Sequence, residues 1–210
     1  MPAARQASDS KRRTPQRGRA LETVEVIFEA TARILQADGL AGLNTNRIAE
    51  VAGVSVGAIY GYFPNKDAIL LAMALRELDL VRDRVLAALT GPEVDADLHP
   101  VRRVIRALIA GYGARSRSRR ILMETLFARG GSEAMARPLS EVANLIATQG
   151  ASLFPPGAPP LSPIRLFVLT RAVDSVIRAA TYEDAPFIAD AAFEDELVSL
   201  IGGYVSAPAA

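Results

Sequence analysis

Apolar residues recur at steps of three and four along most of this 210-residue chain, the spacing of a single helix face. No run alternates in the manner of a half-buried strand. Arg19 to Asp38 carries Leu21, Val24, Ile27, Phe28, Thr31, Ile34 and Leu35 at helical spacing, which predicts a first helix closed by Gly39. Lys66 to Leu89, capped by Asn65, presents Ile69, Leu70, Met73, Leu75, Leu78, Val81 and Val85, a face wide enough to touch more than one neighbour. Thr90 to Pro100 breaks the pattern with an acidic stretch that reads as a linker. Beyond it the periodicity predicts helices over residues 101–114, 118–129 and 132–153, the last with an irregularity near Pro138. A Pro-rich loop, 154–163, precedes a helix from Pro163 to Thr181, and a last helix runs from Pro186 to Tyr204. The expected fold class is all-α, with a three-helix N-terminal domain on a larger helical body.

The densest local signals fall between Leu43 and Lys66. Asn44 can cap a helix that starts near Thr45, because its side-chain oxygen accepts from an early N–H. Ile48, Ala49 and Ala52 share one face, and Gly53 ends the helix where a tight turn needs positive φ. Val54 then packs under the turn, and Ser55 caps a second helix with Ile59 and Tyr62 at inward positions. Ala49 is small where two helices must cross closely. These requirements, met in one register, predict a helix-turn-helix. The first helix is needed to cover it, since the pair alone buries too little apolar area to fold.

The run G-A-I-Y-G-Y-F-P-N-K that follows resembles the signature of the TetR family of transcriptional regulators, with Gly57, Ala58, Ile59, Tyr60, Phe63 and Lys66 at the matching positions. The specific part of the likeness covers about Leu21 to Leu71. One departure is Asn44, where the family usually has Thr; both cap a helix, so the change touches a phosphate contact more than the fold. The resemblance implies a DNA-binding regulator, usually a repressor, that acts as a homodimer on a palindromic operator and is released by a small-molecule effector. It implies phosphate contacts from Thr45, Tyr60 and Lys66, and base-edge positions at Asn46, Val56, Gly57 and Ala58. The residues agree with those roles. Asn44 and Ser55 stand at helix N-termini, where N–H groups and the positive dipole end favour phosphate. Tyr62 offers a second phenol, Asn46 can pair with adenine, Val56 and Ala58 can meet a thymine methyl, and Arg47 shares the discrimination.

Charge sharpens this picture. The net charge is +1, yet residues 1–20 hold six basic side chains against Asp9 alone. Residues 1–18 therefore read as a disordered basic arm, 19–66 as the helix-turn-helix domain and 67–210 as a ligand-binding and dimerisation body. Such an arm suits an anionic polymer. There is no cysteine, the start lacks the apolar stretch of a secretory signal, and no apolar run reaches ~18 residues, so a cytoplasmic protein that does not enter the membrane is expected.

Enzyme chemistry finds little to work with. His99 is the single histidine, so neither a zinc set nor a catalytic dyad with cysteine can be assembled, and no cofactor or metal is expected. Arg115, Arg117, Arg119 and Arg120 form a second basic cluster, read as a solvated turn or as an anion site. Inward positions of the middle helices offer Leu108, Tyr112, Met123, Phe127, Phe167, Arg171 and Asp174 as effector contacts. Leu166, Leu169, Val173, Val176 and Ala180, with Phe187, Ala191, Val198, Ile201 and Val205, form two stripes suited to a four-helix seam with a second copy. The alternative reading is a helical DNA-binding dimer that needs no effector.

Overall fold

The computed structural model describes residues 10–91, 99–112, 117–128, 132–154 and 159–207, and these fold into helices with no strand among them. The helices are α1 (Ser10–Asp38), α2 (Thr45–Ala52), α3 (Val56–Tyr62), α4 (Lys66–Thr90), α5 (Pro100–Tyr112), α6 (Arg117–Ala128), α7 (Ser132–Leu153), α8 (Pro163–Tyr182) and α9 (Ala191–Ser206), with a single 3-10 turn at Leu40–Gly42. They form two compact units. One runs to Ala74 and takes in Ser116–Leu126; the other comprises Leu75–Arg115 and Phe127 onward. The division falls inside α4, eight residues beyond the expected boundary after Lys66.

In the first unit, Ile27 and Leu35 of α1, Ile48 of α2, Ile59 of α3 and Ile69 of α4 are wholly buried. The caps are the expected ones. The Arg47 N–H donates to Asn44 Oδ1 at 2.9 Å, and the Ala58 N–H donates to Ser55 Oγ at 3.0 Å. Each such cap contributes about 1 kcal/mol. Gly53 takes φ 69, ψ 28, the left-handed conformation that a side chain would strain, and its N–H closes α2 on the carbonyls of Ala49 and Glu50. Phe28 of α1 meets Phe63 at 5.8 Å between ring centres, so the residue that ends α3 is held by α1. The carbonyl end of α1 is also occupied. Arg117 donates to the Ala37 carbonyl at 3.0 Å, and the Ser118 N–H donates to Gln36 Oε1 at 3.3 Å.

The second unit is built around α8, whose Leu169, Val173 and Ile177 join Val81 and Val85 of α4, Ile105 of α5 and Ile201 of α9 in one core. Gly111 lets α4 and α5 approach: a Cβ there would lie 3.1 Å from both γ-carbons of Val81. Arginines fasten α9 at both ends. Arg106 meets Glu194 at 2.9 Å and Arg102 meets Glu194 and Asp195, while Arg165 donates to the carbonyls of Tyr204 and Ala207. His99 accepts from the Val101 N–H at 3.3 Å and so serves the start of α5.

Several expectations need correction. Helix α1 starts at Ser10, so half of the expected arm is helical; its Lys, Arg and Gln lack an apolar period but have high helix propensity. Residues 1–9 lie outside the described residues, as do 92–98 of the linker and Arg115. Helix α7 runs unbroken through Pro138. Helix α9 begins at Ala191, because residues 186–190 close successive turns, with Ile188 N–H on the Ala185 carbonyl and Asp190 N–H on that of Phe187. Leu21, Leu75 and Tyr62 are exposed, each lying at the edge of its stripe.

Gly53→Ala tests the turn. No atom lies within 4 Å of the position a Cβ would take, so its cost is backbone strain alone. We expect a loss of about 1 kcal/mol in urea unfolding with helical content kept.

Candidate nucleic-acid interface and effector cavity

Two helices of eight and seven residues, joined at Gly53, carry the residues singled out for DNA. Asn44, Asn46, Arg47, Ser55, Gly57, Tyr60 and Tyr62 are exposed, and Thr45, Val56, Ala58 and Lys66 are half-buried. The hydroxyls of Thr45 and Tyr60 lie 3.4 Å apart, which brings the start of α2 against α3. Lys66 Nζ donates to the Leu43 carbonyl at 3.1 Å, so this ammonium also fixes the segment that leads into α2. It retains two further donors. Arg47 pairs with Glu50 at 2.9 Å, a partner that pattern reading missed although i,i+3 spacing gives it. That pair is exposed, and such pairs are worth at most about 1 kcal/mol, so a phosphate or base could compete for the guanidinium. Asn44 and Ser55 spend their oxygens on capping and keep their own N–H and O–H groups to donate. The surface presents donors, two phenols and a bare glycine step.

The second unit holds a half-open cavity of about 90 Å³ between α4, α5, α7, α8 and Ile201 of α9. Leu108, Tyr112 and Asp174 line it, and the other expected contacts do not. Met123 is buried in the first unit. Phe127 stacks edge-on with Tyr182 at 6.2 Å under the Arg178 guanidinium. Phe167 and Arg171 pair on the outward face of α8, with the guanidinium 3.7 Å from the ring centre. The α7 wall was missed, although Leu139, Val142 and Ile146 carry the helical spacing that would have found it. Arg117, from the basic cluster, is committed to the end of α1, and Arg119 and Arg120 have interactions of their own.

Asp174 is the chemically unusual group. Tyr112 Oη donates to its Oδ1 at 2.6 Å, and Arg178 Nε stands 3.5 Å from its Oδ2. Burial pushes its carboxyl above the usual carboxylate range, against the pull of the Tyr112 bond and the Arg178 charge. Burial, then the Asp174 charge, pushes the Tyr112 phenol up. Among the described residues no group of three or more His, Cys, Asp or Glu could hold a metal ion, and no helix is long and apolar enough to cross a membrane.

A raised carboxyl holds its proton longer in the folded state. Stability from this group is complete below the ordinary value of 3.8 and is lost as pH rises through the raised one. Asp174→Asn keeps an acceptor for Tyr112 but cannot ionise. We expect its urea stability to decline less than the parent's as pH rises from 3.8 toward neutrality; parallel profiles would remove Asp174 from that pH dependence.

Comparison with known proteins agrees with the local geometry. The family model for bacterial regulatory proteins of the tetR family matches residues 27–73. An uncharacterized HTH-type transcriptional regulator of Haemophilus influenzae is 42% identical over 55 residues, which are 26% of this chain and 29% of that protein. The match thus spans under a third of the curated relative. Among solved structures, the multidrug binding protein EbrR, complexed with imidazole, superposes with a TM-score of 0.59 at 21% identity, covering 89% of this chain and 96% of that one. GusR of Salmonella enterica gives 0.60 at 17% identity, covering 89% and 97%. These likenesses show the fold along most of the chain. The segment that carries the Gly57–Lys66 run is thus similar to the tetR family of bacterial regulatory proteins over residues 27–73.

Proposed function

We propose that this chain is a ligand-responsive DNA-binding regulator, a repressor that holds a palindromic operator as a homodimer and lets go when a small molecule enters the second unit. The observation that carries the DNA reading is the α2–Gly53–α3 pair, with both N-terminal caps formed and Asn46, Gly57 and Tyr60 exposed on it. Helix α3 enters the major groove with Val56, Gly57 and Ala58 toward base edges. Asn44, Thr45, Ser55, Tyr60, Tyr62 and Lys66 take phosphates, and Asn46 and Arg47 read from α2.

Two reading heads about one DNA turn apart require two copies. Support for the dimer lies on α8, with a change of residues. Leu166, Leu169, Val173 and Ala180 of the expected seam are buried in the chain's own core, and so are Ile201 and Val205 of α9. The next stripe of α8 is left uncovered: Ile164 is 76% exposed, Phe167 56% and Val176 40%, with Leu200 of α9 also exposed. A second copy would bury this apolar face. Effector response is supported by the cavity. Its volume of about 90 Å³ is below the ~150 Å³ that admits benzene in an engineered core. A larger ligand that parts the walls on entry binds one conformation better than the other, as coupling requires. Pro138, which supplies no N–H to α7, makes that wall the compliant one.

DNA fragments selected in vitro by the full chain supply the test. In Gly57→Gln the new Cβ meets only Ser55 Oγ, at 3.9 Å, and the position is exposed, so we expect the fold to be kept while sequence preference shifts or docking fails. Unchanged preference at full affinity would take this face off the bases. Val176→Arg places a charge in the α8 face, and we expect a folded monomer by sedimentation with operator affinity lost. A dimer of full affinity would put the interface elsewhere.

A further inference from the structure

The polar atoms of the cavity share one hydrogen-bonding sense. Tyr112 has committed its proton to Asp174, and Thr170 has committed its own to the Leu166 carbonyl at 2.8 Å. Both hydroxyls therefore present lone pairs, although the Arg171 guanidinium reaches one of those on Thr170 at 3.5 Å. The Asp174 carboxylate has about four acceptor positions, of which Tyr112 takes one; Arg178 Nε, at 3.5 Å, is an ion-pair contact that makes no hydrogen bond. Arg82 also lines the cavity, but its guanidinium is already held by Asp79, Asp83 and Glu141, with contacts from Nε and both terminal nitrogens. Its two remaining N–H groups sit among three carboxylates, so an anion there meets net negative charge. The rest of the wall is almost entirely hydrocarbon, from residues such as Val85, Leu108, Val142 and Leu169.

Three acceptors beside a cation that carboxylates already neutralise, set in an apolar chamber, specify the complementary head group. A carboxylate ligand would face Asp174 unpaired. A hydroxyl would satisfy one acceptor and waste its own lone pairs. A primary ammonium has three donors and no acceptor. We propose that the effector is a lipophilic primary amine, with its ammonium on Asp174, Tyr112 and Thr170 and its apolar body against α4 and α7. This rests on the effector reading above and names its chemical class. Entry of the ammonium supplies a close positive partner for a carboxylate whose paired cation, Arg178, stands 3.5 Å off, and charge-assisted bonds are the stronger kind.

Three probes of similar body and different head decide it: 2-phenylethylamine, 2-phenylethanol and phenylacetate, titrated into the full chain without DNA and read by calorimetry and thermal shift. The amine should bind tightest, the alcohol more weakly and phenylacetate not at all. Asp174→Asn, which keeps an acceptor for Tyr112, should weaken the amine by about ten- to a hundredfold and leave the alcohol nearly unchanged. Val142→Phe, which fills the chamber, should abolish both. Phenylacetate binding as well as the amine, an amine preference that survives Asp174→Asn, or no binding of the amine overturns the proposal. The wider effector reading is tested apart from this, by whether any small molecule releases selected DNA; it survives if a ligand of another class does so.

Discussion

Helices of eight and seven residues do not persist in water, because the nucleation cost is never recovered over so few hydrogen bonds. The surface formed by α2 and α3 exists because other parts of the chain hold it. Ile48 and Ile59 are anchored in a core shared with Ile27, Leu35 and Ile69, Phe28 grips Phe63, and Lys66 bonds back to the Leu43 carbonyl. Specificity at such a surface is a matter of position, and position here is set by packing beneath the helices, not by the groups that face outward. The caps at Asn44 and Ser55 and the turn at Gly53 only define where each short helix begins and ends.

The second unit answers a different constraint. A chamber that is almost wholly apolar gains nothing from a buried acid, and burying one costs several kcal/mol unless it is paired. Asp174 is kept by a phenol and by an arginine whose approach is long. Helices α4 and α5 cross closely at Gly111 and Val81. An incompletely compensated group inside a well-packed core is where function most often overrides stability.

What could be read from the sequence followed from how local each signal is. Caps, glycine turns and the α2–α3 register depend on neighbours within a few residues, so Asn44, Gly53, Ser55 and the start of α4 were legible. The faces of α8 were not. Ile164, Phe167, Val168 and Val176 are as apolar as Leu166, Leu169 and Val173, and periodicity cannot say which stripe the chain keeps for itself. The same limit put Phe167 and Arg171 in the cavity beside Asp174, when Thr170 is the neighbour on α8 that lines it with Asp174. Met123 failed for another reason: α6 gives most of its length to the first unit, a division no spacing reveals. The early start of α1 was hidden because charged residues can be good helix formers without marking a face.

Gly57 and Gly61 both lie inside α3, and a Cβ would meet Ser55 Oγ at 3.9 Å at the first and open space at the second. Neither has the positive backbone angle that reserves Gly53 for glycine. Alanine would fit at both and would steady this seven-residue helix by up to about 1 kcal/mol per site. The helix thus forgoes stability it could have, and what it keeps in return is thinness: at two points its backbone can come closer to an opposing surface than any other residue would permit. An effort to make the protein more heat-resistant by the usual glycine-to-alanine exchange would succeed thermally here while thickening the face proposed to meet DNA.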